Sequence, residues 1–252
     1  MDHLLRATAL AERRHFWFRG FRRFVTPLLE RATAGRADLR LLDCGCGTGN
    51  NLDLLGQYGH AFGFDLTASG LIFGRGAGRT RLARASVDAV PFEDASFDVV
   101  SSFDVLYSLP DAVERAAVRE MCRVLRPGGW LIVNVAAMEM LRGDHSVLSH
   151  EVRRYSRDSL RRLLTASGFV IDRLTYTNAI LFPPMALARA VQRRRGLSTE
   201  QEADGEISVP TLPVNLALTA ALTVESWWLR VFDSAFGSPF GSSLLCLARK
   251  PG

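Results

Sequence analysis

The stretch Leu41-Leu42-Asp43-Cys44-Gly45-Cys46-Gly47-Thr48-Gly49-Asn50-Asn51 constrains this chain more than any other. A mostly apolar run, Leu39 to Leu42, leads into it, and a helix-like segment, Asn50 to Leu55, follows. That order reads as a strand, a glycine-rich turn and a helix start. Glycine admits φ > 0, or lets a ligand approach where a Cβ would collide. The turn is expected to leave free N–H groups at a helix N-terminus, which suits a negative group. Asp43 points elsewhere. A carboxylate just ahead of the glycines suits a ligand carrying a cation and would spoil a phosphate site, which disfavours a dinucleotide enzyme. His60-Ala61-Phe62-Gly63-Phe64-Asp65 then reads as a second strand ending in an acid, placed to hold ribose hydroxyls.

The pattern D-x-G-x-G-x-G followed by such an acid resembles the class I S-adenosylmethionine (SAM) methyltransferases. The resemblance implies a doubly wound, Rossmann-like α/β fold with a seven-stranded, mostly parallel sheet. It implies SAM as cofactor and S-adenosylhomocysteine (SAH) as product. In that family the first strand and its loop hold the methionyl part, and the second-strand acid holds the ribose. Carried onto this chain, the cofactor set is Trp17, Arg19, Asp43, Gly45, Cys46, Gly47, Asn50, Asp65, Leu66, Ser86, Val87 and Phe103. One position departs from the family. Many members have an acid where Ser86 stands, to accept from the adenine amino group. Ser86, the Val87 backbone and Asp88 are all open for that contact.

Composition narrows the partners. Hydrophobic residues make up 48% and charged residues 23% of 252, enough for a buried core in one domain with an elaboration. The net charge is +5 and nearly all cations are arginines, Lys250 being the only lysine. So modest an excess fits an anionic substrate or a membrane surface, and equally an arginine-rich proteome. The cysteines Cys44, Cys46, Cys122 and Cys246 form no C-x-x-C pair, so zinc is not expected, and no other metal cluster is visible. Reduced thiols and the charged first fourteen residues, without a secretory signal, give a cytoplasmic expectation, with peripheral membrane attachment open. The resemblance is to bacterial small-molecule enzymes.

Residues 1 to 35 read as an N-terminal helical cap. Arg13-Arg14-His15-Phe16-Trp17-Phe18-Arg19-Gly20-Phe21-Arg22-Arg23 interleaves aromatic and guanidinium groups, which together clamp carboxylates and stack on planar or cationic groups. It resembles the helix that closes over the cofactor in some bacterial methyltransferases; solvated packing is the plainer use. Arg81 to Ala85 reads as the third strand and Phe97 to Phe103 as the fourth. Asp111 is expected to cap a helix running to about Leu125. Trp130 to Val135 is the fifth strand. Phe103-Asp104-Val105-Leu106-Tyr107 replaces the Asn/Asp-Pro-Pro-aromatic signature of nucleic-acid amino-methyltransferases, so no nucleic-acid partner is expected.

The core therefore comprises residues 36–178 plus 243–250, the last strand being Ser243 to Arg249. Residues 179–242 are a mainly helical insertion: a basic stretch to Arg195, a polar loop over Gly196 to Ser208, and an apolar helix over Leu212 to Phe232. Its apolar run is too short to span a bilayer. It is left to cap an apolar substrate, to join two copies as a homodimer, or to lie on a membrane surface. Gly143 to Tyr155, past the fifth strand, gathers groups that could face the methyl acceptor. His145, His150 and Tyr155 are the candidate catalytic residues, the histidines because imidazole titrates near neutrality. The reading is a SAM-dependent methyltransferase acting on a small-molecule or lipid-like acceptor. The alternative is a SAM-binding partner or regulatory protein without catalysis.

Overall fold

The computed structural model describes residues 14–196, 209–236 and 238–252. The expected helical start over 1–13 and most of the polar loop up to Ser208 lie outside the described residues. In chain order the elements are α1 (Phe16–Thr33), β1 (Leu39–Cys44), α2 (Leu52–Leu55), β2 (Gly59–Asp65), α3 (Ala68–Gly76), β3 (Leu82–Arg84), β4 (Phe97–Phe103), α4 (Asp111–Val124), β5 (Leu125–Ala136), α5 (Asp144–Leu148), α6 (Arg157–Ala166), β6 (Val170–Thr177), α7 (Phe182–Arg195), α8 (Leu212–Phe236) and β7 (Ser243–Arg249). Short 3-10 turns occupy Leu106–Ser108 and Glu139–Leu141.

The seven strands form one sheet in the order β3-β2-β1-β4-β5-β7-β6, parallel except for β7. Apolar runs long enough to be buried on both faces make the central strands, and every residue of β4 is buried. The order reverses between β1 and β4. In such sheets the crevice outside the carboxyl ends at that point receives ligands. One face of the sheet is covered by α4 and α6. Ala117, Val118, Met121 and Val124 of α4 share one helical stripe and bury against Leu131, Val133 and Tyr176 in a single core. Asp111 is the first residue of α4 and makes no cap. Pro110 occupies the capping position, and the Asp111 carboxylate pairs with Arg153 at 2.6 Å instead.

On the other face α1 and α8 lie side by side and run the same way. The Asn215 amide ties their N-terminal ends, accepting from Phe16 N and donating to the Arg14 carbonyl, both at 2.8 Å. Leu222 sits over Gly20, and Arg230 pairs with Glu30 at 3.0 Å near the far end. Phe24, Val25, Leu28 and Leu29 of α1 and Leu222 and Leu229 of α8 join β1, β5 and β7 residues in a second core. Buried Glu225 of α8 accepts from Ala179 N at 2.8 Å and Ile180 N at 3.1 Å, anchoring the start of the insertion. Helix α7 lies instead along the 3-10 turn after β5, with Arg193 donating to the Met140 and Arg142 carbonyls.

Gly20 is where the two helices touch most closely. A Cβ there would stand 2.3 Å from Leu222 Cδ1. Gly20→Val is expected to destabilise the protein by about 1–3 kcal/mol through overpacking, read by chemical denaturation. Adding Leu222→Ala should restore part of the loss, whereas additive losses would place the clash elsewhere.

Candidate active site

The glycine loop between β1 and α2 is built from left-handed backbone. Gly45, Gly47 and Gly49 have φ of 77°, 56° and 76°, so each alternate position needs glycine for conformational reasons. Gly45 is also a point of close approach, where a Cβ would lie 2.4 Å from Val105 Cγ2. Four of the loop's N–H groups have partners within the protein. Gly45 N and Cys46 N both donate to the Phe64 carbonyl at 2.9 Å, Gly47 N donates to Asp65 Oδ2 at 2.8 Å, and Gly49 N donates to the Cys46 carbonyl at 2.8 Å. Moreover α2 is a single turn.

Asp43 lies beneath that loop at the carboxyl end of β1, 1% exposed. Ser101 Oγ on β4 donates to its Oδ1 at 2.7 Å, while Oδ2 is buried with no hydrogen-bond partner among the described residues. Burial pushes its pKa up to about 6, against the pull of the Ser101 and Asn51 side chains. Asp65 ends β2 next to it, its Oδ1 accepting from Thr67 N at 2.7 Å. Each Asp65 oxygen takes one backbone hydrogen bond and keeps acceptor capacity for hydroxyls.

Several expected residues converge on this loop. Cys46 and Asn50 are buried within it, Asn50 Oδ1 accepting from Arg79 Nη2 at 3.3 Å. Arg79 braces the loop and is tied at 2.8 Å to Asp53, a role no sequence pattern announced. Phe103 is buried at the end of β4 and meets Phe21 of α1 edge-on at 5.0 Å. Ser86 donates to Asp88, so two of the three adenine candidates form one hydrogen-bonded unit, with Val87 buried between them. Leu66 is exposed just past Asp65. From α1 it is Arg22, not Arg19, that reaches the loop, Nη2 standing 3.5 Å from the Asn50 carbonyl. Arg19 is exposed, and Trp17 rests edge-on to Phe16 at 6.5 Å.

The lid residues are mostly architectural. Tyr155 is buried, its hydroxyl bonded to Glu114, and burial pushes its pKa well above the usual phenol range. A hydroxyl held that way does not serve as a base, which corrects its candidacy. The Glu151 and Arg154 side chains, 2% and 7% exposed, form a bidentate pair at 2.8 and 2.9 Å, and Arg154 also donates to the Ala137 carbonyl. Val152 N and Arg153 N both donate to the Tyr107 carbonyl, fastening the lid to the turn after β4. His150 is exposed at φ 50°, on the lid's outer turn. The His145 side chain lies outside the described residues.

Asp104 is the residue the sequence reading passed over. It follows β4 directly, between Phe103 and the Val105 that leans on Gly45, with φ of 60°. Such a backbone is uncommon for a non-glycine residue and is held here from two sides. Asp104 N donates to the Asn134 carbonyl at 2.9 Å, and Asn134 Nδ2 donates to Asp104 Oδ1 at 2.9 Å. The residue as a whole is exposed, while protein atoms crowd around its carboxyl group. Desolvation pushes its pKa up to about 7, with Asn134 and Arg154 pulling down and Glu151 pushing up. Its signal was one aspartate at a strand end, which pattern alone does not separate from a turn residue.

A doubly wound sheet places a left-handed glycine loop and two strand-end carboxylates, Asp43 and Asp65, at the strand-order reversal, where sheets of this kind receive ligands. Comparison with known proteins is specific. A family profile described as "Methyltransferase domain" matches residues 42–133. A demethylmenaquinone methyltransferase of Roseiflexus castenholzii is 32% identical over 188 residues, covering 71% of this chain and 75% of that protein. "Probable S-adenosylmethionine-dependent methyltransferase Rv3030" of Mycobacterium tuberculosis is 32% identical over 161 residues, 62% of this chain; the match spans 56% of that relative's length. A chain of the complex between the Haloferax volcanii Trm112 methyltransferase activator and a methyltransferase superposes with TM-score 0.61 at 19% identity, covering 98% of this chain and 94% of that one. The chain belongs to the class I SAM-dependent methyltransferase family, whose cofactor is SAM.

Asp43 carries a testable cost. Its folded pKa, about 6, lies above the ordinary 3.8. Its ionisation therefore opposes folding, absent below pH 3.8 and complete above about pH 6. Asp43→Asn should stabilise the ligand-free protein by about 1–3 kcal/mol at neutral pH and by nothing near pH 3.8. Denaturation curves at the two pH values check the sign.

Proposed function

We propose that the protein transfers a methyl group from SAM to a small, lipid-like acceptor bearing an ionisable hydroxyl, in a cytoplasmic setting. The observation that carries the cofactor side is the unpartnered Asp43 oxygen beneath a loop of three left-handed glycines. Asp43 is suited to the ammonium group of the methionyl part, and Asp65, with acceptor capacity left, to the ribose hydroxyls. Gly45, Cys46, Gly47 and Asn50 form the cradle. The buried Phe103 and Val87 give apolar walls, and Ser86 with Asp88 offers the polar edge for adenine. Arg22 couples α1 to the cradle, which supports a closing role for that helix.

When bound, SAM supplies a methyl group already activated on a sulfonium. The protein then has to orient the acceptor, exclude water and dispose of a proton. Asp104 is placed for the proton. Asn134 donates to Oδ1, and no hydrogen bond to Oδ2 accompanies it among the described residues. A carboxyl with pKa about 7 is half ionised near neutrality, the poise a general base needs. It is matched better to a phenolic hydroxyl, pKa near 10, than to an aliphatic one.

The lipid-like, aromatic class is supported by the names of relatives. Besides the Roseiflexus protein, a ubiquinone/menaquinone biosynthesis C-methyltransferase of Shewanella woodyi is 31% identical over 140 residues. A relative of Bos taurus named for tRNA methylation matches 39% of this chain.

Four measurements test the reading. Purified protein given methyl-labelled SAM and demethylmenaquinol should label the quinone extract; an unlabelled extract would remove the quinol class. Asp65→Ala should weaken SAM by about 1–3 kcal/mol in calorimetry, and unchanged affinity would remove the ribose role. Asp104→Asn should keep SAM affinity while lowering turnover by about a hundredfold or more. In the wild type, turnover should rise with pH through about 7, and the variant should lose that limb.

A further inference from the structure

The two long faces of α8 have different fates. Asn215, Thr219, Leu222, Glu225 and Leu229 are buried against α1, the sheet and the start of the insertion. On the opposite side Leu212, Leu216, Ala220, Val224, Trp227 and Val231 follow one another at helical spacing, all exposed, with Trp228 on their flank. Leu212 is 69% exposed, Val224 60%, Trp227 59% and Trp228 49%. At 1.5 Å per residue the stripe runs roughly 28 Å along the helix. A contiguous apolar surface of that kind on a folded chain marks an interaction site. The nearly all-round apolar character read in the sequence thus has two causes, a core face and this outward one.

We propose that this face of α8 docks on the surface of an anionic lipid bilayer, with the helix lying in the plane of the interface. The side-chain types fit. Indole rings present an apolar body and a polar N–H, and settle at the boundary between acyl chains and headgroups. The charges beside the stripe fit as well. Arg230 is exposed on α8, Arg19 and Arg23 are exposed on the neighbouring α1, and Arg14 is exposed just ahead of it. The exposed acid of α1, Glu30, is tied to Arg230. Apolar insertion flanked by guanidinium groups is the pattern that holds a helix on acidic headgroups. The same charges argue against a second copy, because a twofold pairing through this stripe would bring the arginines of both chains together. Spanning is not an alternative, since no helix among the described residues is long and apolar enough to cross a membrane.

The core side of α8 packs near the crevice. Phe21, one residue after the Gly20 that Leu222 covers, meets Phe103 at the carboxyl end of β4. A chain held by α8 would therefore keep the crevice close to the lipid. The docking itself does not depend on methyl transfer.

Flotation of the full chain with phosphatidylcholine vesicles, with and without phosphatidylglycerol, tests the proposal. The chain should float with the phosphatidylglycerol vesicles at low salt, dissociate at high salt, and shift its tryptophan emission to the blue when bound. Leu216→Ser combined with Trp227→Ser should weaken vesicle binding at least tenfold with unchanged circular dichroism and SAM affinity. Arg23→Glu, which leaves the stripe intact, should weaken binding only to the anionic vesicles. A chain that stays unbound at low salt, or a double variant that floats like the wild type, overturns the proposal. So does a wild-type dimer that the double variant splits without any vesicle binding, which would assign the stripe to a second copy.

Discussion

A carboxylate buried without a full set of partners is the constraint on which this structure turns. Asp43 has one oxygen satisfied by Ser101 and one satisfied by nothing in the described protein. Leaving a buried polar atom unpaired costs free energy that a fold does not normally tolerate. The surrounding elements hold it there all the same. β4 supplies Ser101 from the strand paired beside it, and the glycine loop bends back over it through hydrogen bonds to Phe64 and Asp65. Site geometry is thus over-determined by the sheet.

The second organising interaction is the pairing of α1 with α8. The two helices are far apart in sequence, yet Asn215 caps the start of α1 and Leu222 requires a glycine at position 20. Covering the same sheet face, they bring Phe21 to the end of β4 and Arg22 to the glycine loop. The insertion is consequently divided in its duties. α7 lies on the turn after β5, and α8 lies on α1 and the sheet. The two helices of one insertion therefore serve different neighbours.

Much of the fold was legible because parallel-sheet strands are apolar runs bounded by turn signals. β4 and β7 were read with the bounds observed, Phe97–Phe103 and Ser243–Arg249. The site was legible where a residue type has few uses, as with alternating glycines at positive φ and acids at strand ends. It was not legible where role depends on neighbours distant in sequence. Asp111 resembles a helix cap until Arg153 is seen across from it. Tyr155 resembles a base until its hydroxyl is seen donating to Glu114. Arg22 and Arg19 are indistinguishable in a run of arginines, yet one faces the loop and the other solvent. Asp104 gains its character from Asn134, which is thirty residues on. Each of these depends on a tertiary contact that periodicity does not encode.

The measurement that bears most directly on the account is calorimetric titration of the protein with SAH from about pH 5 to about pH 7, below the range where the ligand's own amino group titrates. If Asp43 must be ionised to receive the ammonium group, affinity should be nearly constant above its pKa of about 6 and fall towards tenfold per pH unit below it. The same titration with Asp43→Asn should be weak and flat. A wild-type affinity that is flat across the whole range would show that the buried carboxylate is not the cofactor's counter-charge.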